Sequence, residues 1–479
     1  MFPRATPSAS APDPAPNSPD NRRYGRFDVA VIGAGIVGCA LARRLALDGA
    51  RVVVLEKAAE VLDGASKGNS GILHTGFDAP EGSLELDCIK AGHAEYLEIR
   101  ERLNLPLVRS AALVLAWTEE EAAALPGLMQ QALANGVTDV EPLERAALLA
   151  LEPGLAPTVR AGFRVPGEAI IDPWSAAHAY LLQALENGAV LLRGAEVTGG
   201  RFDGADWQLD TPRGKVTAGL VINAAGNYGD IVDDRLIGRR DFTLRPRKGQ
   251  FVVYDKPAAA LAGHILLPVP TKITKGVVVC RTIWGNLLVG PTAEDQDERA
   301  TATLVPEALA ALKARGEAIL PGLARQQVSA VYAGLRPATE FKDYQIRRHP
   351  QAYVTVGGIR STGLSAALGI ARHVAALIGG AWQPLAQPVW PRMPMLAEDG
   401  PRDWQCPGNG GILCHCEKVT RREVEVALTG PLAAQTLAGL KRRTRVTMGR
   451  CQGFYCTAEL AELTRGRLVQ PMMGHDDGA

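Results

Sequence analysis

A glycine-rich turn near the N-terminus limits the folds open to this chain. A short apolar strand, predicted at 28–32, runs into Gly33-Ala-Gly35-Ile-Val-Gly38, and residues 39–47 have helical apolar spacing. A second predicted strand, 51–55, ends at Glu56, about 20 residues after the turn. This order predicts a dinucleotide-binding unit. The glycines leave room for a pyrophosphate at a helix N-terminus, and Glu56 can bind a ribose.

Later segments predict further strands of the same sheet. Strand-like runs are expected at 189–197, 220–223 and 352–356. The second run ends in Ala224-Ala-Gly226, where small residues permit close backbone approach. The third leads into Gly357-Gly-Ile-Arg-Ser-Thr-Gly363-Leu-Ser365 and then a helix to residue 378, which makes a second glycine turn before a helix N-terminus.

Two stretches with a different residue pattern lie between these strands. The second contains runs of alternating strand-like pattern at 250–254, 277–280 and 286–289, which predict antiparallel strands. We therefore predict an α/β (α+β) fold, in which a Rossmann-like domain is interleaved with an antiparallel-sheet substrate domain and followed by a small helical module. The expected boundaries are a disordered tail at 1–25, the nucleotide-binding domain at 26–86, 160–240 and 335–381, the substrate domain at 87–159 and 241–334, a proline-rich semi-rigid linker at 382–411, and the module at 412–465.

Charge and hydropathy exclude several classes of partner. The chain has 52 Lys and Arg against 51 Asp and Glu, a formal charge of +1. This balance argues against nucleic acid or a strongly acidic membrane surface and favours a small molecule. No apolar run approaches the roughly 20 residues needed to span a bilayer, and the N-terminus lacks a secretory pattern. We expect a cytoplasmic protein, with at most peripheral membrane association through partner subunits.

Cysteines are concentrated near the C-terminus. Five of the eight fall in the last quarter, where Cys414-His-Cys416 precedes Cys451-Gln-Gly-Phe-Tyr-Cys456. Such clustering favours metal ligation in a reducing compartment. Thiolates suit iron–sulfur clusters and zinc alike, so both metals stay open, although Cys-x-Cys is tighter than a usual zinc knuckle. Short helices are predicted at 421–429 and 432–440, between the two pairs. Cys406 is assigned to the linker.

Several short motifs recur along the chain in a fixed order. They are Gly33 to Gly38, Asn69-Ser-Gly-Ile-Leu-His74, Asn223-Ala-Ala-Gly226, Leu287-Leu-Val-Gly290-Pro-Thr-Ala293, Gly334-Leu-Arg336-Pro337, Gly357 to Ser365, and, in the tail, Thr444 to Gly453 with the four cysteines. The motifs before the tail together resemble the D-amino-acid-oxidase-like superfamily of FAD oxidoreductases, and within it glycerol-3-phosphate dehydrogenases and L-2-hydroxyglutarate oxidases. The tail resembles the bacterioferritin-associated-ferredoxin (BFD) type of [2Fe–2S] domain carried by the anaerobic glycerol-3-phosphate dehydrogenase large subunit.

The resemblance implies two cofactors, FAD and a [2Fe–2S] cluster, and a set of residues for each. Cysteines 414, 416, 451 and 456 would hold the cluster. Those expected at FAD are Gly33, Ala34, Gly35, Ile36, Val37, Gly38, Glu56, Lys57, Ser66, Asn69, Ser70, Gly71, Leu73, Val197, Ala224, Ala225, Gly226, Gly357, Arg360, Thr362, Gly363, Leu364 and Ser365.

Oxidation of an alcohol needs a base and, for an anionic substrate, a cationic anchor. His74 is the predicted base, because an imidazole with a pKa near neutral can accept the hydroxyl proton; it could instead only pack beside the flavin. Arg336 is the predicted anchor, because a guanidinium binds carboxylate or phosphate through two parallel hydrogen bonds; a surface salt bridge is the alternative. Lys275, Arg281 and Arg360 rank second.

The expected activity is FAD-dependent oxidation of glycerol 3-phosphate or a similar anionic hydroxy compound, with electrons passed through the cluster to a carrier protein or quinone. A 2-hydroxy acid such as L-2-hydroxyglutarate, an amino acid or an opine is the alternative donor. The glycerol-3-phosphate enzymes usually carry a lysine just after the second glycine pair, where this chain has Ile359-Arg360. A non-catalytic flavoprotein with a zinc docking module is a third possibility.

Overall fold

The helices and strands are those of a computed structural model, which describes residues 25–270 and 276–472. The tail predicted to be disordered lies outside these ranges except for Gly25, as does Lys275. The helices are α1 (Ile36–Leu47), α2 (Leu84–Leu103), α3 (Glu119–Ala134), α4 (Arg145–Leu151), α5 (Pro173–Glu186), α6 (Gly229–Ile237), α7 (Pro306–Ile319), α8 (Gly363–Ile378), α9 (Arg421–Ala427), α10 (Leu437–Thr444) and α11 (Thr457–Thr464).

The strands form four sheets. They are β1 (Phe27–Ile32), β2 (Val52–Glu56), β3 (Ile72–Leu73), β4 (Leu107–Val108), β5 (Ala112–Ala116), β6 (Glu141–Glu144), β7 (Ala161–Val165), β8 (Ala169–Ile171), β9 (Val190–Arg193), β10 (Gly199–Phe202), β11 (Trp207–Thr211), β12 (Gly214–Asn223), β13 (Arg247–Tyr254), β14 (Ile265–Pro268), β15 (Val278–Arg281), β16 (Leu287–Gly290), β17 (Glu294–Asp295), β18 (Val328–Arg336), β19 (Gln345–His349), β20 (Tyr353–Gly357), β21 (Ile412–Cys414) and β22 (Val419–Thr420).

The first sheet has a parallel centre, in which β20, β12, β1, β2 and β9 lie side by side. Its β1 and β2 are apolar on both faces because helices α1, α5 and α8 cover one face and α6 with its neighbours covers the other. The strand predicted at 189–197 is shorter, since β9 stops at Arg193 and Gly194 turns the chain with a positive φ of 62°. The parallel strands bring their carboxyl ends to one edge.

The second sheet is antiparallel except where β14 pairs with β5. Strand β13 is central, with β18 on one side and β16 and β17 on the other. The pairing aligns Arg247 with Arg336 and places the end of β18 beside the nucleotide-binding domain. Apolar clusters cover both faces of this sheet, which forms the predicted substrate domain.

Two domain boundaries differ from the prediction. Helix α2, which the sequence analysis assigned largely to the substrate domain from residue 87, packs tightly on α8. A Cβ added at Gly92 would lie 2.1 Å from the carbonyl oxygen of Ser365. Such close packing depends on glycine, so α2 belongs to the nucleotide-binding domain. Conversely, β7 was expected in that domain and pairs with β5 of the substrate sheet.

The proline-rich segment 382–411, here called the strap, is predicted to be a semi-rigid linker. It has no α-helix or β-strand, but it is hydrogen-bonded to the rest of the chain. Backbone N–H groups of Leu385 and Met393 donate to the carbonyl oxygens of Leu47 and Leu103, both at 2.9 Å, and that of Glu398 donates to Ile283 at 3.0 Å. The strap is therefore bound to both large domains.

The C-terminal module has its own small apolar core. Its second helix begins at Leu437 rather than at the predicted residue 432, because the Thr436 side chain caps it by accepting the N–H of Gly439. The module is docked on the rest of the chain, through ion pairs of Arg443 with Glu60 at 2.8 Å and of Arg450 with Asp255 at 2.9 Å. Within the two described ranges, no helix has both the length and the apolarity to cross a membrane.

Candidate functional site

A cavity of about 940 Å³ lies at the carboxyl ends of the parallel strands, where open α/β sheets bind ligands. Ile32, Glu56, Ala224 and Gly357, at or just beyond the ends of four of these strands, line it. The substrate sheet closes the opposite wall with Phe251 of β13 and with the end of β18. The cavity is large enough for a dinucleotide and a small substrate together.

The glycine turn fits a bound FAD pyrophosphate. Gly33 has a φ of 101°, and a Cβ there would lie 2.7 Å from the carbonyl oxygen of Ala224. A Cβ at Gly38 would lie 1.9 Å from the carbonyl oxygen of Gly33. The N-terminus of α1 has no side-chain cap at Gly35, so its first turn points N–H groups and a partial positive charge into the cavity.

The polar residues predicted around FAD form a connected set along the cavity wall. Both carboxylate oxygens of Glu56 accept backbone N–H groups, from Ala34 at 2.8 Å and Ala58 at 2.9 Å, and burial raises the pKa of Glu56. A carboxylate has further lone pairs for ribose hydroxyls. Ser66 Oγ accepts the N–H of Ile36 at 2.9 Å, and Lys57 Nζ lies 3.2 Å from the centroid of the Tyr228 ring.

Most of the predicted FAD residues line the cavity, and five do not. Ala34 is buried beneath Glu56, Gly38 packs on Gly33, and Leu73 belongs to the apolar core. Gly71 is held behind the wall by Asn69, whose Oδ1 accepts its N–H at 2.8 Å. Ser365 Oγ accepts the N–H of His74 at 2.8 Å. These five shape the wall from behind. The lining residues are Gly33, Gly35, Ile36, Val37, Glu56, Lys57, Ser66, Asn69, Ser70, Val197, Ala224, Ala225, Gly226, Gly357, Arg360, Thr362, Gly363 and Leu364.

His74 lines the cavity and is held by a buried carboxylate. Its Nδ1 lies 2.8 Å from Oε2 of Glu168, which is fully buried. The other oxygen of Glu168 accepts the N–H of Thr75 at 2.6 Å and its hydroxyl at 2.9 Å. A carboxylate at Nδ1 favours the tautomer whose proton is on that nitrogen and whose lone pair is on Nε2. The pair can orient an imidazole as a base.

Sequence reasoning missed Glu168. It lies between β7 and β8 and is 94 residues from His74, so no local spacing connects the two. The only available signal is a single acidic residue between two apolar strand segments, Gly162 to Val165 and Ala169 to Ile171.

Arg336 lies in the cavity wall rather than in a surface salt bridge. Its Nη2 donates to the carbonyl oxygens of Thr292 at 2.7 Å and Lys248 at 3.3 Å. Within the described residues, no carboxylate oxygen lies within 4.0 Å of this guanidinium. Burial, followed by repulsion from Arg247, lowers the pKa of Arg336 to about 10, which leaves it charged at neutral pH.

Other cations around the cavity differ in their partners. Arg299 and Arg247 are paired with Asp230 and Asp295. Arg360 adopts a φ of 45° and its Nη2 donates to the carbonyl oxygen of Phe341 at 2.7 Å. Arg281, ranked second by the sequence analysis, does not line the cavity. Arg336 and Arg360 thus both line the cavity without a contacting carboxylate among the described residues, and Arg336 is the one on the substrate sheet.

The four C-terminal cysteines come together as two pairs. Cys416 and Cys451 are neighbours, and each thiol affects the pKa of the other; Cys414 is likewise a neighbour of Cys456 and raises its pKa. Burial raises the pKa of Cys416 and that of Cys456, the latter to about 12. The N–H of Tyr455, then other groups of its loop, lower the pKa of Cys451. No three His, Cys, Asp or Glu side chains of the described residues converge as ligands of a single ion. Two thiolate pairs fit the two irons of a [2Fe–2S] cluster.

A dinucleotide cavity, an imidazole oriented by a carboxylate and a two-pair thiolate site define a redox protein with two cofactors. The chain belongs to the DAO family of FAD-dependent oxidoreductases, whose model matches residues 28–377. Residues 412–465 match the BFD-like [2Fe–2S] binding domain, so iron–sulfur rather than zinc is the metal centre. The predicted fold class and both cofactors are confirmed, whereas the individual site residues stay predictions.

Relatives of known activity cover most of the chain. A glycerol 3-phosphate dehydrogenase of Caloramator mitchellensis is 30% identical over 91% of this chain and 93% of its own length. A glycerol 3-phosphate oxidase of Mycoplasma pneumoniae is 32% identical over 76% of this chain and 97% of its own. The structure of dithionite-reduced L-alpha-glycerophosphate oxidase from that organism, with FAD bound, superposes with a TM-score of 0.73 at 28% identity, covering 78% of this chain and all of the other.

Proposed function

We propose that the protein is a glycerol-3-phosphate dehydrogenase that passes electrons through its [2Fe–2S] cluster to a one-electron carrier protein or a quinone. The match to the dehydrogenase of C. mitchellensis spans 91% of this chain and so extends well beyond the flavin-binding residues 28–377. The match to the M. pneumoniae oxidase spans only 76%. An oxidase passes electrons to oxygen at the flavin, whereas a metal centre offers a separate outlet. The cysteine module therefore favours a dehydrogenase.

The observation that carries the anionic substrate is the partial burial of Arg336 in the cavity wall without a carboxylate. Carbonyl dipoles satisfy some of its N–H groups, and Asp295, which is paired with Arg247, compensates the positive charge only at longer range. A phosphate or carboxylate of the substrate would supply the missing charge in a site that is screened from water. Lys342 and Arg360 also line the cavity and add positive charge.

The His74–Glu168 pair supplies the base. Glu168 holds Nδ1, and the imidazole then accepts the proton of the substrate hydroxyl through Nε2 as the C–H bond breaks. FAD, when bound, supplies the hydride acceptor for that carbon. The positive charge that develops on the imidazole is stabilised by the buried carboxylate.

Free thiols bear on where the protein works. None of the eight cysteines forms a disulfide bond, which favours a reducing compartment such as the cytoplasm.

A substrate panel tests the proposal. Purified holoenzyme is mixed anaerobically with glycerol 3-phosphate, L-2-hydroxyglutarate and several amino acids, and the flavin absorbance is followed. Rapid bleaching by glycerol 3-phosphate alone is the expected result. Bleaching by L-2-hydroxyglutarate alone would contradict it and would agree with a more distant relative, the L-2-hydroxyglutarate dehydrogenase of Indibacter alkaliphilus, which is 28% identical over 56% of this chain.

Substitution of the anchor supplies a second test. Arg336→Lys keeps a charge but loses the planar fork, and we expect the KM for glycerol 3-phosphate to rise by about tenfold. The matched control is Arg245→Lys, since Arg245 is 64% exposed and pairs with an exposed Asp297. Equal KM values in the two variants would remove Arg336 from the substrate site.

A further inference from the structure

Trp284 lies where the cysteine module meets the substrate domain. The guanidinium of Arg445 is 4.3 Å from the centroid of the Trp284 ring. Arg445 Nε in turn donates to Oε2 of Glu417 at 2.8 Å, and both of these side chains are buried. Because Glu417 follows Cys416 in the chain, this indole is separated from a cluster ligand by two side-chain contacts.

The same indole continues toward the cavity. Trp284 stacks on Trp174, with the ring centroids 4.6 Å apart and the planes at 26°. Trp174 Nε1 donates to the carbonyl oxygen of Lys67 at 3.2 Å, and Lys67 lines the cavity, as does Pro173 beside Trp174. An unbroken series of contacts therefore runs from the cysteine site to the wall expected beside the flavin.

A second set of contacts fixes the orientation of the module. Gln452, next to Cys451, donates from Nε2 to the carbonyl oxygen of Ser329 at 2.8 Å on β18. On the same strand, the hydroxyl of Tyr332 donates to the carbonyl oxygen of Asn69 at 2.7 Å in the cavity wall. The residue that follows Cys451 thus contacts the main body directly, and the residue that follows Cys416 is linked to it through Arg445 and Trp284.

The stack on Trp174 distinguishes Trp284 from Trp390, whose buried Nε1 likewise has no partner among the described residues. Trp284 Nε1 is buried and has no hydrogen-bond partner among the residues that the structure describes. An unpaired buried N–H costs about 1–3 kcal/mol, a penalty that Phe or Leu would avoid in the same apolar cluster. Indoles stacked in contact, by contrast, provide delocalised orbitals between two redox centres.

We propose that Trp174 and Trp284 form the electron path from the FAD cavity to the Cys416–Cys451 side of the cluster. This proposal rests on the proposed function only in taking glycerol 3-phosphate as the compound that reduces the flavin. Each substrate molecule oxidised delivers two electrons to the flavin, and one electron crosses at a time. Each crossing oxidises the flavin by one electron and reduces one iron of the cluster from ferric to ferrous. No bond forms in a crossing; after the second electron has left, the flavin N–H bond formed from the substrate hydride breaks and its proton goes to water. An external one-electron acceptor then reoxidises the cluster before the second crossing.

The test uses full-length holoenzyme and two readouts from one anaerobic reaction with glycerol 3-phosphate. Flavin absorbance reports reduction by substrate, and freeze-quench EPR reports reduction of the cluster. In Trp284→Leu the flavin should bleach at the wild-type rate. Cluster reduction should slow by about tenfold, equivalent to about 1.4 kcal/mol in the barrier. Cluster reduction at the wild-type rate in this variant would overturn the path.

Trp390→Leu is the matched control. Its indole also lies under an arginine, Arg102 at 3.6 Å, and its Nε1 is also buried without a partner in the described ranges, but it belongs to the strap over α2. We expect wild-type cluster reduction in this variant. An equal slowing in Trp390→Leu and Trp284→Leu would assign the effect to packing and would overturn the path.

Trp174→Leu keeps the proposal testable if Trp284→Leu loosens the module. This variant removes the ring that stacks on Trp284 but keeps the contact between Trp284 and Arg445, so the module should stay docked. Cluster reduction should then slow relative to flavin bleaching. An unchanged ratio of the two rates would overturn the path. A wrong substrate gives a different result, because the flavin would not bleach at all.

Discussion

The two cofactor regions of this protein are built by opposite means. In the nucleotide cavity, backbone geometry is expected to do most of the holding, as at Gly33 and Gly35 before the N-terminus of α1. In the cysteine module, four thiols are the predicted ligands of the cluster, and ion pairs such as Arg443 with Glu60 attach the module to the rest of the chain. A backbone cradle leaves the side chains of its wall available for chemistry, whereas the module uses its side chains for attachment.

Size explains part of this difference. The nucleotide cavity is bounded by two large sheets with extensive apolar cores on their faces. The module matches its domain over residues 412–465 and has a single small core. Domains below roughly 70–80 residues seldom gain enough stability from a core alone and use metals or other cross-links. The cluster and the docking ion pairs have that role here.

Removal of a thiol should have the largest effect. We expect Cys414→Ser to abolish cluster binding, because Cys414 is buried in the module core and its partner Cys456 would be left as a lone ligand of one iron. FAD content and flavin bleaching by substrate should persist. Cys406→Ser is the control, since Cys406 is exposed in the strap. Iron and acid-labile sulfide analysis measures the difference, and full cluster content in Cys414→Ser would contradict the ligand assignment.

Glu168→Gln tests whether the backbone, rather than the side chains, holds FAD in the cavity. If the backbone holds FAD, this change should slow flavin bleaching by about 10²-fold through loss of His74 orientation, while FAD content stays the same. The molecule has a matched pair elsewhere, His264 Nδ1 at 2.6 Å from Glu152, which does not line the cavity. Glu152→Gln should leave the bleaching rate unchanged. Stopped-flow absorbance compares the two variants, and a loss of FAD in Glu168→Gln would show that side chains hold the flavin after all.

The contrast also explains how far the sequence alone could predict the molecule. The cradle was predictable, because strand β1, the glycine turn and α1 are contiguous and each follows from local patterns. The [2Fe–2S] domain was predictable for the same reason, because its cysteines fall in two short motifs. Glu168, the docking of the strap and the packing of α2 on α8 were not, because they join residues far apart in sequence. The displaced start of α10 is a different case, since the Thr436 cap was present in the sequence and was overlooked.

Loss of a buried charge inside the module should have the next largest effect. Glu417 is 2% exposed and Arg445 5%, so Glu417→Gln leaves an uncompensated buried guanidinium and should destabilise the docked module by about 3–5 kcal/mol. The control is Glu462→Gln, whose partner Arg465 is 74% exposed, with an expected change of at most about 0.5 kcal/mol. Thermal unfolding of the two holoproteins, followed by the cluster absorbance, measures both. Equal melting temperatures would mean that this buried ion pair does not stabilise the module.

The smallest predicted effect separates backbone conformation from steric fit in the cradle. Gly33 and Gly204 have nearly the same φ, 101° and 103°, but a Cβ would meet the Ala224 carbonyl oxygen at 2.7 Å in the first case and nothing within 4 Å in the second. Gly204→Ala should therefore cost only the conformational strain, about 1–2 kcal/mol of unfolding free energy. Gly33→Ala adds an overpacking cost of about 1–3 kcal/mol and shifts the turn against which FAD binds.

Denaturant unfolding of the apoproteins measures the loss of unfolding free energy in each variant, and FAD titration measures the effect of each substitution on FAD affinity. Weaker FAD binding in Gly33→Ala alone would show that the absence of a side chain, rather than a permissive backbone, makes this turn a cofactor site. Equal FAD affinity in both variants would contradict the close-approach explanation. The cavity would then hold its nucleotide by side chains such as Glu56 and Ser66, in the manner of the cysteine module.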